Sequence, residues 1–422
     1  MPHLSLRISA RIWAMCRRTL LGIFVAQVIT IASLMTWDAL RKRSNKKQID
    51  LRLLATDATT VSIGSSDATP FTYGEDLYED MLASIDRAQR QVLIESYIWK
   101  DDAYGKRFKR AIIDAADRGV DVHVIYDSFA NLVVSPRFKR FPPSVKVLAF
   151  PLFSGRIPLL NIRNSGRDHR KILVVDGKVG YVGGYNIGSL YATDWRDTHL
   201  KLTGSAVWDL ENAFIDFWNV HRKSSNPLHP KLQDHGSPEW DSHIRVHRNS
   251  PKQLVYPIRG MYLEAFDRAQ SHIYITQAYF IPDRDLLRGL VEASRRGVDV
   301  RIIVPKLSNH VVADWLARGF YSTLLANGIK VLLYKDAMVH AKTATVDGKW
   351  STIGTANIDR LSLSGNYEIN VEMFDEGMAK QLEIVFDKDS DNTSELTAQQ
   401  WAERKWIAKF SEAILAPLRP LL

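Results

Sequence analysis

One polar pattern occurs twice in this chain, and it constrains the fold more than any other feature. From His169 the sequence places Lys171 at +2, Asp176 at +7, Gly183 at +14, Asn186 at +17 and Asp197 at +28. From His340 the same offsets give Lys342, Asp347, Gly354, Asn357 and Glu368, in a register 171 residues (340 − 169) further on. At average composition a chance His-x-Lys-x-x-x-x-Asp match is expected in roughly a few per cent of chains this long. Two matches followed by the same Gly, Asn and acid describe a duplicated fold in which both halves keep the same polar face.

The apolar text repeats with it. IDRAQRQVLIESYIW (85–99) matches FDRAQSHIYITQAYF (266–280), ADRGVDVHVIYD (116–127) matches SRRGVDVRIIVP (294–305), and VKVLAF (145–150) matches IKVLLY (329–334). Each pair reads as a helix end running through a turn into a β-branched, buried strand. Strands alternating with helices of about a dozen residues predict an α/β sandwich with a largely parallel sheet in each of two pseudo-symmetric halves. The spacing between the halves drifts to 171 at the motif, which leaves about thirteen extra residues ahead of His169, in PLFSGRIPLLNIRNSGRD (151–168). We read that excess as a loop over the site. The halves span 74–222 and 246–422, joined by a Pro/His/Ser-rich connector, 223–245. The tail WAERKWIAKFSEAILAPLRPLL reads as an amphipathic helix stopped by prolines, packed on the body or, less favoured, touching a membrane.

The charge is lopsided. Residues 1–52 hold ten Lys and Arg against Asp38 and Asp50, a net +8 of the chain's +9, so 53–422 is near neutral. The bulk electrostatic case for a nucleic-acid partner therefore fails. Between a basic tail (1–18) and a basic juxtamembrane segment and linker (38–73) runs an uncharged stretch, 19–37, whose nineteen residues would reach about 28 Å as a helix. We read it as a single-pass anchor in the cell membrane rather than a cleaved signal, since no small-residue cleavage site closes it. Basic residues on both sides only weakly favour a cytoplasmic body. Residues 53–73 read as linker or an early strand. A single cysteine, Cys16, excludes an intramolecular disulfide framework and a cysteine-rich zinc site.

On a strand, His and Lys at i and i+2 face the same side. Each face is then half a site: an imidazole, an ammonium and a carboxamide. Two such faces brought together by pseudo-twofold symmetry surround a phosphodiester with Lys171, Lys342, Asn186 and Asn357 as donors. His169 and His340 on opposite sides suit in-line displacement through a phosphohistidine. Asp197 and Glu368 suit accepting a second imidazole N–H. Asp176 and Asp347 belong to the repeated catalytic set by position, yet suit holding the lysine strand and its turn better than acting on substrate. Zinc-spaced ligand pairs are absent, and no metal is needed where lysines supply the positive charge.

HRKILVVDGKVGYVGGYN and HAKTATVDGKWSTIGTAN resemble the paired motifs of the phospholipase D superfamily. The wider text, including LIESYIWKDDAYG, WRDTHLKLTG, ITQAYFIPD and NIDRLSLSGNYEINV, is similar to bacterial cardiolipin synthases over about 75–420. The resemblance implies phosphatidyl transfer between two phosphatidylglycerol molecules, giving cardiolipin and glycerol without a cofactor. It makes His169 and His340 the nucleophile and acid/base pair, with His169 the favoured nucleophile. It makes Lys171, Lys342, Asn186 and Asn357 the phosphate cradle, and Asp197 and Glu368 the histidine-orienting acids. The implied partners are phospholipid and membrane. Gly183-Gly184 and Gly354-Thr355 stand where the family often has Gly-Ser. A phospholipase D-type hydrolase, a nuclease and a non-catalytic lipid-binding module are the competing readings.

Overall fold

The computed structural model describes residues 2–44, 50–152, 166–236, 239 and 242–421. Most of the segment read as a loop over the site, 153–165, lies outside the described residues.

The first half contributes β1 (Val61–Ile63), β2 (Ser66–Phe71), β3 (Gln91–Ser96), β4 (Asp121–Asp127), β5 (Val145–Phe150), β6 (Ile172–Val175), β7 (Val179–Gly183), the two-residue β8 (Trp195–Arg196) and β9 (His199–Gly204). The second contributes β10 (Ile244–Asn249), β11 (His272–Gln277), β12 (Asp299–Pro305), β13 (Lys330–Tyr334), β14 (Met338–Val339), β15 (Lys342–Val346), β16 (Trp350–Gly354), β17 (Glu368–Phe374) and β18 (Thr393–Glu395). Two eight-stranded sheets result, in the orders β1-β2-β9-β7-β6-β3-β4-β5 and β10-β17-β16-β15-β11-β12-β13-β18. In the segment 53–73, the strand reading is the one realised.

The sheets are mixed, not largely parallel as the helix–strand alternation predicts. Among the described residues of these two sheets, only β3–β4–β5 and β11–β12–β13 run parallel. The motif strands return instead as hairpins, β6–β7 and β15–β16. The cause is local: Asp176-Gly177 and Asp347-Gly348 all sit at positive φ, between 55° and 65°. That pair of left-handed residues makes the tight turn whose twist matches antiparallel strands.

Both sheets are buried on both faces. Along β3, Val92 and Ile94 pack against the outer helices Gly74–Asp86 and Ala103–Asp117, while Leu93 points into a central layer. That layer holds helices Val207–His221 and Glu376–Asp391, and it mixes Leu200, Leu202 and Phe214 of one half with Ile369, Val371 and Leu382 of the other. The halves thus share one core, which makes their relative position a consequence of packing.

A helix from Pro2 to Ser44 precedes the body and runs through both basic flanks of the predicted anchor. Within it Arg17–Leu40 is long and apolar enough to cross a membrane, with mean hydropathy 1.9. At the other end, helix Trp406–Leu415 gives way to a 3₁₀ stretch containing Pro417 and Pro420.

Candidate active site

The two histidines stand just ahead of the central hairpin strands, and each is tied to the opposite half. The His169 N–H donates to Tyr367 O (3.0 Å), beside a parallel bridge between Asp168 and Tyr367. The His340 N–H donates to Arg196 O (2.6 Å), continuing the parallel pairing of β14 with β8. The residue after Tyr367 is Glu368, and the residue after Arg196 is Asp197. These short inter-half ladders therefore carry each acid to the histidine of the other half. His169 Nδ1 lies 3.0 Å from Glu368 Oε2, and His340 Nδ1 lies 2.6 Å from Asp197 Oδ2. A carboxylate on Nδ1 leaves Nε2 as the ring nitrogen for chemistry.

The two glycine-rich turns explain why the acids differ. A Cβ on Gly184 would come within 2.0 Å of Asp197 Oδ1, so the bare backbone makes room for the shorter acid. At the matching place Thr355 donates its hydroxyl to Glu368 Oε2 (2.5 Å) and steadies the longer one. The departure from Gly-Ser is thus filled by a working contact.

Lys171 and Lys342 are buried, and each donates from Nζ to the carbonyl of the histidine two residues before it, at 2.6 Å for Lys171. Burial pushes Lys171 down to about 7, against the opposing pull of Glu368, and Lys342 down to about 8. Burial also lowers His169, and it lowers His340 further with the help of Lys342. Both shifts favour the neutral imidazole. Asp197 is raised to about 6 by burial.

Asn186 accepts the Ile98 N–H at its Oδ1 (3.1 Å) and lines the cleft. Asn357 Oδ1 is buried with no protein partner. His169, His340, Asn186 and Asn357 line a single cleft of about 410 Å³. A half-site from each half thus meets its counterpart.

Asp176 and Asp347, grouped by position with the catalytic set, are not among the residues lining that cleft. Each sits in the hairpin turn at the other end of its strand. Asp176 accepts the backbone N–H groups of Gln89, Arg90 and Gln91 at 3.0, 2.7 and 2.8 Å. Asp347 does the same for Gln270, Ser271 and His272 at 2.9, 2.7 and 3.0 Å. Both carboxylates staple the start of a neighbouring strand, β3 or β11, to the turn. Among the described residues, no group of three or more His, Cys, Asp or Glu side chains is placed to hold a metal ion.

Several cleft residues escape the sequence pattern. Tyr97 meets the His169 ring edge-on at 4.6 Å, and Trp195 lies 5.0 Å from the His340 ring. The Tyr279 hydroxyl donates to Asn309 Oδ1 (2.5 Å), and buried Asp359 is raised to about 7 by desolvation. The aromatic ends of the repeated strands, SYIW and QAYF, carry Tyr97 and Tyr279, while Trp195 and Asp359 lie in the WRDTHLKLTG and NIDRLSLSGNYEINV segments. Behind the site Arg196 makes a bidentate pair with Asp389 of the other half, 2.8 Å on each arm.

Comparison with known proteins places this geometry. Residues 81–218 and 262–390 match the family model described as "Cardiolipin synthase, PLD-like domain". The chain belongs to that phospholipase D-like family. Each matched segment of this cardiolipin synthase-like chain carries one His-x-Lys set, and the protein is an enzyme of the phospholipase D superfamily. Cardiolipin synthase 1 of Staphylococcus aureus (strain COL) is 32% identical over 390 residues, covering 90% of this chain and 79% of the relative. Cardiolipin synthase of Listeria monocytogenes serotype 4b (strain CLIP80459) is 31% identical over 386 residues, covering 89% and 80%. A solved phosphatidylserine synthase of Haemophilus influenzae Rd KW20 shares the fold, with a TM-score of 0.65 at 14% identity over 86% of this chain and 94% of that one.

Proposed function

We propose that this protein is a membrane-anchored phosphatidyl transferase of cardiolipin synthase type, with phosphatidylglycerol as donor and acceptor. The observation that carries the reading is the meeting of His169 and His340 in one cleft, each imidazole held at Nδ1 by the acid of the opposite half. In the first step Nε2 of neutral His169 attacks phosphorus and the bond to the glycerol oxygen breaks. His340, protonated once the substrate anion offsets the lysine charges, delivers its proton to that oxygen and glycerol leaves. In the second step neutral His340 takes the proton from a hydroxyl of another phosphatidylglycerol. That oxygen attacks phosphorus, the P–N bond breaks, and cardiolipin and free His169 result. Lys171, Lys342 and the two asparagine amides oppose the charge on the non-bridging oxygens throughout. The Arg17–Leu40 segment is the anchor in this reading, with the body on the cytoplasmic face.

The test is product analysis. Purified full-length protein given phosphatidylglycerol in mixed micelles is expected to release cardiolipin and glycerol, and His169→Ala and His340→Ala each to abolish turnover. Phosphatidic acid as sole product would replace the transferase with a hydrolase. Cleavage of an oligonucleotide but no lipid would replace it with a nuclease, and full activity without either histidine would end the shared-site mechanism.

A further inference from the structure

The anchor does not simply tether the body. Gln27, Leu34 and Asp38, at i, i+7 and i+11, are buried along one stripe of the N-terminal helix, with Ile31 between them packed in the same cluster as Leu34. The stripe seats on Leu316 of helix Val311–Ala326 and on Leu415 of the C-terminal helix Trp406–Leu415. Gln27 Nε2 donates to Ile414 O at 3.2 Å, so its polar group is spent inside this contact. From residue 27 to 38 is eleven residues, about 16 Å of helix, or roughly half of a ~30 Å hydrocarbon layer. A helix that spans the bilayer while holding the body over that length carries the body's contact surface into the membrane beside it.

The C-terminal helix has the surface such a position requires. Its inner face (Ser411, Glu412, Leu415) is buried, while Trp406, Ile407 and Phe410 are 74%, 57% and 54% exposed. At 100° per residue these three span about 100° of the opposite side, with exposed Lys405 and Lys409 beside them. Trp with flanking Lys around an apolar arc is the composition of an interfacial helix. The cleft leads to the same place, since Ile281, Val312 and Ala313 both line it and belong to the cluster that seats the anchor. In the first half, the loop after β4, pseudo-equivalent to the segment leading into helix Val311–Ala326, exposes Phe129, Leu132 and Val133.

We propose that the outer face of the C-terminal helix, Trp406, Ile407 and Phe410, is buried in the lipid leaflet alongside the N-terminal anchor, opening the apolar wall of the cleft directly onto the bilayer. The proposal rests on the anchor reading above, and its occupant is lipid.

Full-length Cys16→Ser protein carrying Ile407→Cys is labelled with an environment-sensitive fluorophore and reconstituted in phosphatidylglycerol/phosphatidylethanolamine vesicles. Lys178→Cys, exposed in the hairpin turn remote from the histidines, is the control. Nitroxide placed near the top of the acyl chains is expected to quench the label at 407 at least about twofold and to spare that at 178. An unquenched label at 407 in protein that resists alkaline extraction would overturn this inference and leave the anchor standing; protein released by alkali would overturn the anchor itself. Unquenched label with label-to-label energy transfer would replace lipid by a second copy of the chain. Independently, Ile407→Glu/Phe410→Glu is expected to lose about tenfold in turnover on vesicles and nothing on detergent-dispersed short-chain phosphatidylglycerol. Equal loss on both, or none on vesicles, would refute the proposal.

Discussion

Asp197→Asn is the substitution that tests the crossed arrangement. Asp197 lies in the first half, but its carboxylate is 2.6 Å from Nδ1 of His340, and both side chains are nearly inaccessible. The exchange keeps size and removes the charge that stabilises imidazolium. A charge-assisted hydrogen bond is worth about 1.5–3 kcal/mol, and at about 1.4 kcal/mol per decade its loss slows turnover roughly 10- to 100-fold. If the amide presents its N–H₂ to Nδ1 the imidazole adopts the wrong tautomer, and the loss grows towards about 10⁴. The assay compares phosphatidylglycerol with phosphatidyl-p-nitrophenol, whose leaving group departs without a proton. With His340 as general acid, the burst of p-nitrophenol from Asp197→Asn stays near the wild-type rate while phosphatidylglycerol turnover falls. Glu368→Gln, which disturbs His169, slows the burst as well. A burst in Asp197→Asn slowed as much as phosphatidylglycerol turnover would refute the assignment of Asp197 to the acid/base histidine.

The pH profile of kcat/KM follows from the buried charges. Asp197, raised to about 6, takes up a proton as pH falls through that value and releases its hold on His340. Lys171 and Lys342, lowered to about 7 and 8, lose their charge as pH rises. A bell with limbs near 6 and between 7 and 8 is expected, and a flat profile from 5 to 9 would contradict it. Asp176→Ala strips three backbone N–H groups of their acceptor; thermal denaturation should show a loss of about 1–3 kcal/mol, while kcat per folded molecule stays near wild type. A selective loss of kcat would return Asp176 to the chemistry. Gly184→Ala drives a methyl into Asp197 and should lower kcat with little change in KM, whereas Gly260→Ala, on a helix where a Cβ meets nothing within 4 Å, should leave kcat unaltered. Equal kcat in both would show that the close approach at Gly184 is dispensable.

Much of the fold was legible in the chain because its determinants are local. Alternating helix and strand signals and the short motifs that recur 171 residues apart are patterns within the sequence, and they suffice for two α/β halves and for the two His-x-Lys faces. The same locality limited the reading. The helix–strand alternation correctly marks the parallel strands β3–β5 and β11–β13, but it is silent about the hairpins that place β6 and β15 antiparallel. That outcome depends on left-handed backbone at Asp176-Gly177 and Asp347-Gly348.

The sequence by itself determined which groups the chain offers: two imidazoles, two ammoniums, two carboxamides and two acids, one set per half. Only the tertiary structure decided who meets whom. Glu368 reaches His169 across 199 residues and Asp197 reaches His340 across 143, because β8–β14 and the Asp168–Tyr367 bridge stitch the halves crosswise. The same packing removed Asp176 and Asp347 from the site, since a strand holds its two ends apart, and brought in Tyr97, Trp195 and Asp359, whose neighbours are set by the shared core. No spacing rule encodes these contacts: they arise from burying two apolar sheet faces and two helices in one layer, and that is a property of the whole chain.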